Sequence, residues 1–269
     1  MADNRQASTT ADLLTDVFSA VDGECLLVDP SLEILEAVGS LDPDADVVTD
    51  VRVLASEDTL KSARDDFLAA SALGNHLDAE QLTLRTHTDT TGNAIVVTDD
   101  QMFDLLDQVG DTAVALSATD DAFISDAYAT HTDRFDDAAA FDLRTPGRQR
   151  VHTTLSDSLS EATADEFETY LENIDTVSND TVDEVTLALL AAARNQEQLY
   201  DISKWGEDVG IASKATFSRA KTDIEEQGLI DTEKVPIDVG RPRLRLLIDN
   251  DDLAAVADED LPGTIQRLS

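Results

Sequence analysis

Lysine is scarce in this chain of 269 residues: Lys61, Lys204, Lys214, Lys221 and Lys234 are the whole set, and the formal net charge is -38. An acid-rich, lysine-poor chain with ordinary apolar content matches a cytoplasmic protein of a salt-in halophile. A disordered acidic chain is excluded, because apolar residues recur periodically along its length. Cysteine occurs once, at Cys25, which rules out an intramolecular disulfide and a cysteine-built metal site. No run of about eighteen apolar residues exists to span a membrane. The opening residues, MADNRQASTTADLL, lack the basic and apolar regions of a signal peptide. Neither GxxxxGK(S/T) nor GxGxxG occurs, so the usual nucleotide-phosphate cradles are missing. The four histidines are scattered among carboxylates and make no recognisable zinc site. The expectations are no membrane contact, no cofactor, no metal and no catalytic constellation.

What is present is an alternation of short helical and extended patterns. Helices are predicted over 12–21, 32–38, 59–73, 101–108 and 120–140, with Gly74-Asn75 ending the third. Strands are predicted over 24–28, 47–54, 81–86, 94–98 and 112–116, with a turn at Thr91-Gly92-Asn93. Residues 11–145 therefore read as an α/β domain with a mixed or parallel sheet covered on its faces. Ser56, Thr98-Asp99 and Ser117 stand at strand ends, where open α/β sheets bind small ligands. Ser56 and Thr119 are better read as ordinary helix caps. Pro146-Gly147 marks a boundary. Residues 146–180 read as a helical linker with few core-sized residues, and 249–269 as an acidic tail with a short helix over 253–257.

Residues 181–248 carry the densest set of signals. After a first helix from Thr181 to Arg194 comes a second, opened by Asp201 as a cap, with Ile202, Trp205 and Val209 on one face. Gly210 breaks it. Ser213 caps a third helix whose Phe217, Ala220 and Ile224 face inward until Gly228 ends it. Two extended segments follow, joined through Gly240-Arg241-Pro242-Arg243. Two helices across a tight turn followed by a β-hairpin make a C-terminal winged helix-turn-helix, an α+β unit.

The chemistry of that unit points to double-stranded DNA. Lys214, Thr216, Ser218, Arg219, Lys221 and Thr222, with the capping Ser213, supply donors in the first half of the third helix. The acids Asp223, Glu225 and Glu226 come later, the reverse of what a helix dipole alone favours. Arg241 and Arg243 on a narrow hairpin suit a minor groove or its phosphates, and Lys204 on the preceding helix suits the backbone. Residues 182–248 hold nine Lys and Arg against twelve Asp and Glu, whereas residues 1–181 hold nine against thirty-nine. This unit is thus close to neutral in a very acidic chain. At high salt, counterion release supplies little affinity, so shape and base readout carry more of it. The alternative is a protein-interaction adaptor with a structural winged helix, which has no need of the Arg-Pro-Arg segment.

The residues Gly210-Ile211, Ser213, Thr216 to Arg219, Lys221 and Glu225 to Ile230, followed by the Gly-Arg-Pro-Arg segment, resemble a pattern found in archaeal regulators, with one residue more in the turn. Together with the stretch NAIVVTDDQMFDLLDQVGDTAVALSATDDAFISDAYATHTDRFDDAAAF, the chain resembles the haloarchaeal TbsP-type transcriptional regulators. Their N-terminal domain is distantly similar to the phospholipase-D-like effector domain of the TrmB sugar regulators. The resemblance implies a dimeric regulator of sugar or central carbon genes. The α/β domain would sense a small-metabolite effector or dimerise. Phospholipase-D chemistry needs His-x-Lys pairs, and here the histidines are followed two places on by Asp78, Asp89, Asp133 and Thr154, so a shared fold implies sensing rather than catalysis.

Overall fold

The computed structural model describes residues 4–21, 23–45, 47, 49–88, 92–106, 112–174, 182–236 and 242–268. The chain divides into two compact units, Met1–Arg148 and Gln149–Ser269. In the first, strands β1 (Arg5–Ala7), β2 (Cys25–Val28), β3 (Val51–Ser56), β4 (Leu82–His87), β5 (Ala94–Val97), β6 (Met102–Leu106), β7 (Ala113–Ser117) and β8 (Ala139–Ala140) form one sheet. Its order is β1-β7-β6-β5-β2-β3-β4-β8. β2, β3 and β4 are mutually parallel, and the remaining neighbours pair antiparallel.

Parallel strands need crossovers, and helices supply them. α2 (Leu32–Gly39) joins β2 to β3, while α3 (Glu57–Asp65) and α4 (Phe67–Asp78) join β3 to β4. With α1 (Thr10–Phe18), they bury one sheet face that carries Cys25, Leu27, Val53, Leu84, Val96 and Phe103. Cys25 is a core residue, its thiol pushed up to about 12 first by burial. The alternate residues Leu26, Val28, Leu54, Ile95 and Val97 face the other way and pack with Phe135 of α5 (Asp121–Asp137). Arg85 lies 4.7 Å from the Phe135 ring centroid and donates to the carbonyls of Phe135 and Asp136, which tidies the C-terminal end of α5. The α/β reading of this region, with a mixed sheet, matches the structure.

Three local readings change. The helix expected over 101–108 is strand β6 as far as Leu106, and Gln108 lies outside the described residues. Five residues are too few for the apolar period to separate helix from strand. Pairing with β5 and β7 decides, placing Phe103 and Leu105 in the core. The helix expected to stop at Gly74 is instead two helices broken at Asp66, and α4 continues to Asp78. Gly74 is there for proximity, not termination: a Cβ on it would lie 2.9 Å from the Cα and N of Gly147. Asp120, not Thr119, caps α5, accepting from the amides of Ala122 and Phe123. Thr91 lies outside the described residues.

The second unit is built around α8 (Glu184–Arg194), which is buried from Val185 to Ala193. A helix apolar on all sides belongs inside. Thr181, where this helix was expected to begin, lies outside the described residues. Against α8 pack α7 (Glu161–Glu172), α9 (Leu199–Val209), α10 (Lys214–Glu226) and β10 (Arg243–Ile248), which pairs antiparallel with β9 (Ile230–Val235); α6 (Arg148–Ser158) precedes them in the chain. The expected linker over 146–180 is corrected by α6 and α7, which contribute to this core. Phe167, Tyr170 and Leu171 are fully buried, and the Phe167 ring meets Trp205 edge-on at 6.2 Å. Trp205 Nε1 donates to Thr154 Oγ1, tying α9 to α6. The expected acidic tail likewise folds into α11 (Asp251–Ala255) and α12 (Leu261–Leu268), burying Leu253, Leu261 and Ile265. Arg194 holds this segment through the Val256 carbonyl and Asp258. In both stretches the few apolar residues recur at helical spacing, so a sparse pattern is enough to reach the core. Among the described residues no helix is long and apolar enough to cross a membrane, and no group of three His, Cys, Asp or Glu residues is placed to hold a metal ion.

Two stability predictions follow from this packing. Alanine at position 74 gains helix propensity worth up to ~1 kcal/mol. The obstacle is backbone, which cannot swing aside, so Gly74→Ala should lower the stability of the first unit by about 1–3 kcal/mol in a urea melt. Glu166 in α7 is half-buried, and burial first, then Asp258, raises its pKa above the ordinary 4.5. A carboxyl that keeps its proton longer in the folded state favours folding below pH 4.5, and that contribution is lost as pH rises through the folded value. Glu166→Gln, which retains an acceptor for Asn195 and Tyr170, should raise the melting temperature at pH 7 and leave it less dependent on pH.

Candidate nucleic-acid interface

The turn between α9 and α10 is set by glycines with different duties. Gly210 adopts φ +98° and ends α9 in the left-handed region, where a side chain is disfavoured. The amides of Ile211 and Ala212 bond the Gly206 carbonyl, and this absorbs the additional turn residue. Ser213 then caps α10, its hydroxyl accepting from the Thr216 amide at 3.2 Å. Gly206 lets the two helices approach, because any Cβ there would overlap the Phe217 ring. Phe217, fully buried, seats α10 on α9, and Ile224 is buried further along the same helix.

Seated this way, α10 turns Ser218, Arg219 and Thr222 to solvent. Arg219 reaches only its own helix, at the Ala215 carbonyl and Thr216 Oγ1, and no described carboxylate pairs with it. The Thr222 hydroxyl donates to the Ser218 carbonyl, and Ser213 and Thr216 bond each other at the cap.

The lysines are differently placed. Lys204 Nζ lies 2.7 Å from Asp208, and Lys214 Nζ lies 2.6 Å from Glu207. Each pair raises the lysine's pKa and lowers the carboxyl's, the shared hydrogen bond being the largest cause. Lys221, expected on the groove-facing side, is buried. Its ammonium lies 2.6 Å from Glu225, which also accepts from Thr232 on β9, so this lysine braces helix against strand. The 3.6-residue period explains why: position 221 falls one turn after Phe217 and so shares its inward side.

Arg243 is also relocated. It opens β10, not a hairpin tip, and pairs with Asp201 at 3.1 Å and Gln198 at 3.2 Å. Its guanidinium stands 4.3 Å from the Tyr200 ring centroid. Asp201 is therefore no cap, since α9 begins at Leu199 after Gln198. Gly240 and Arg241 lie outside the described residues. Tyr200, which the sequence reading passed over, is 47% exposed beside Arg243. Its only sequence signal is an aromatic residue next to the apolar Leu199 that opens the helix.

In the first unit, Ser56 lies at the carboxyl end of β3 and caps α3 by accepting from the Thr59 amide. With Asp29, Ser31, Thr59 and Asn93 it lines a cleft of about 630 Å³ at the carboxyl ends of β2 and β3. Beside the cleft, Asp29, at the left-handed φ of +51°, meets His87 Nε2 at 2.6 Å. Thr98-Asp99 and Ser117 do not converge there. β5 runs antiparallel to β2, and β7 ends on the same side as β5, which puts them at the opposite end of the sheet. The Thr98 hydroxyl closes the β5–β6 turn by accepting from the Gln101 amide.

A short helix, a tight turn, an exposed polar second helix and an antiparallel pair of strands define a winged helix-turn-helix protein, here joined to an α/β unit. Models of the TbsP-like transcriptional regulators match it over nearly its whole length, the N-terminal model at residues 2–146 and the C-terminal helix-turn-helix model at 147–266. The chain belongs to that family, one of transcriptional regulators. No curated protein matches it. Among solved structures it shares 15% identity with TrmBL2, an archaeal chromatin protein described as showing a novel mode of DNA binding, at a TM-score of 0.34. The match covers 52% of this chain and about half, 54%, of that one.

Alanine at position 206 tests whether the close approach of the helices governs the site. Gly206→Ala should lower the stability of the second unit by about 1–3 kcal/mol, because the Phe217 ring has no vacant space to enter. Thermal unfolding followed by tryptophan fluorescence reads it directly, since Trp205 is the neighbouring residue and the sole tryptophan.

Proposed function

We propose that this protein is a sequence-specific regulator that binds double-stranded DNA through α10 and controls sugar or central carbon genes in a halophilic archaeon. The observation that carries the reading is the outer side of α10, where Arg219 stands between Ser218 and Thr222 without a carboxylate partner among the described residues. A helix laid in the major groove reads base edges with side chains of this kind, an arginine above all. Lys204 and Lys214 then serve the DNA backbone by exchanging Asp208 and Glu207 for phosphate. Arg241 and the start of β10 approach the minor groove. A homodimer suits this role, because paired half-sites need paired helices. The cleft at the carboxyl ends of β2 and β3 supports a small-metabolite effector, being concave, partly apolar and lined with hydroxyl and carboxyl groups.

Selection of duplexes from a randomised library by the full-length protein in KCl tests the reading. Arg219→Ala should weaken binding to the selected duplex by about 1–3 kcal/mol, roughly five- to 150-fold, and relax preference at one base position. An equal loss on every sequence would reassign Arg219 to phosphate contact. A library that yields no enriched duplex at any salt would sink DNA binding and favour the adaptor.

A further inference from the structure

A groove of about 370 Å³ lies in the second unit between α9, α10 and the start of β10. Lys214 and Ser218 of α10 form one wall, Pro242 and Arg243 form the other, and Tyr200 of α9 lies between them. The walls belong to the two elements that DNA binding would place in different grooves. In B-DNA a single strand's backbone separates the major groove from the adjacent minor groove. A helix in the first and a hairpin in the second must therefore straddle that backbone. We infer that this groove is the seat of the dividing strand, and that the Tyr200 hydroxyl donates a hydrogen bond to one of its phosphates. The inference rests on the DNA-binding reading above and adds to it the strand, the chemical group and the residue.

Three features of Tyr200 fit it for this contact. Its ring is 47% exposed at the groove, and among the described residues its hydroxyl has no hydrogen-bond partner. Its orientation is fixed by the Arg243 guanidinium, 4.3 Å from the ring centroid. That arginine is itself anchored by Asp201 and Gln198 on the same helix. Arg243 is thus committed to a carboxylate and a ring, and acts as a positioning residue for Tyr200 and for the root of the wing. Its charge is answered by Asp201. Beside it, the donor offered to the phosphate is a neutral hydroxyl, among the groups that commonly bind DNA phosphates, while Lys214 serves the backbone from the facing wall.

Neutrality has a measurable consequence. A cation that binds phosphate releases a counterion and steepens the salt dependence of affinity, whereas a hydroxyl releases none. In a chain of net charge -38, a rigid neutral donor anchors the backbone at salt concentrations where an added lysine contributes little. Ser218, on the facing wall, is free to approach the same strand from the major-groove side.

The test uses the full-length protein and the duplex it selects from a randomised library, with Tyr200→Phe as the variant, since phenylalanine keeps the ring under Arg243. Affinity should fall about tenfold, the scale of one hydrogen bond to a charged group, and by the same factor at each KCl concentration. The measurement is then repeated on duplexes that each carry one uncharged methylphosphonate. The difference between wild type and variant should vanish when that group replaces one phosphate of the strand between the two grooves, and should persist at all others. Wild-type affinity in the variant would overturn the inference while leaving DNA binding intact. So would a loss that persists undiminished on every methylphosphonate duplex, because a ring that only supports the fold is blind to which phosphate is neutralised. If the wild-type chain selects no duplex, both readings fall together.

Discussion

The placement of the Phe217 ring against the bare backbone of Gly206 is the contact on which the second unit depends. It fixes how closely α10 approaches α9. Every exposed residue of α10 takes its direction from that seat, because a helix rotated by one residue would turn Arg219 away and bring Ser218 or Ala220 to its place. The all-buried α8 supplies the surface behind this arrangement, and Trp205 locks α9 to the helices that precede it. What reads in sequence as a winged helix-turn-helix over 181–248 is held by a core drawn from α6 through α12.

Electrostatics divides the cations of this unit into two groups. Lys221 and Arg243 are structural: one is buried against Glu225, and the other is stacked on Tyr200 and bound to Asp201. Lys204 and Lys214 sit in exposed pairs with Asp208 and Glu207. Such pairs are worth little to stability and are readily exchanged for another anion. Arg219 has no carboxylate partner among the described residues. Elsewhere among the described residues Arg52, Lys61, Arg194 and Arg245 each answer a nearby carboxylate.

The first unit follows a different logic. Its central strands are parallel and apolar on both sides, as a sheet covered on two faces requires. The antiparallel strands β5 to β7 extend it past β2, so the cleft forms where the parallel crossovers end and the hairpin begins. The serines and the threonine at that cleft serve as caps and cap partners for α2 and α3. The two readings of Ser56, cap and cleft lining, are therefore compatible: a cap's hydroxyl is used by its helix while its position still defines the rim.

The sequence by itself determined the elements with a strong local cause. Periodic apolar residues marked the helices, a glycine in the left-handed region ended α9, and Ser213 opened α10 at the residue where its hydroxyl can reach the Thr216 amide. The same local causes made the winged helix-turn-helix legible. Only the tertiary structure decided the rest, because the deciding forces act between residues distant in the chain. Strand pairing overrode a helical pattern in β6, and the close approach of Gly147 kept α4 running through Gly74. A handful of aromatic and leucine residues drew the apparent linker and tail into the core. Helical spacing from Phe217 turns Lys221 inward, but which acid or ring a lysine or arginine meets depends on what the fold brings opposite it. Arg243 shows this most plainly, since its partners Gln198, Tyr200 and Asp201 lie more than forty residues away and meet it only once β10 has packed beside α9.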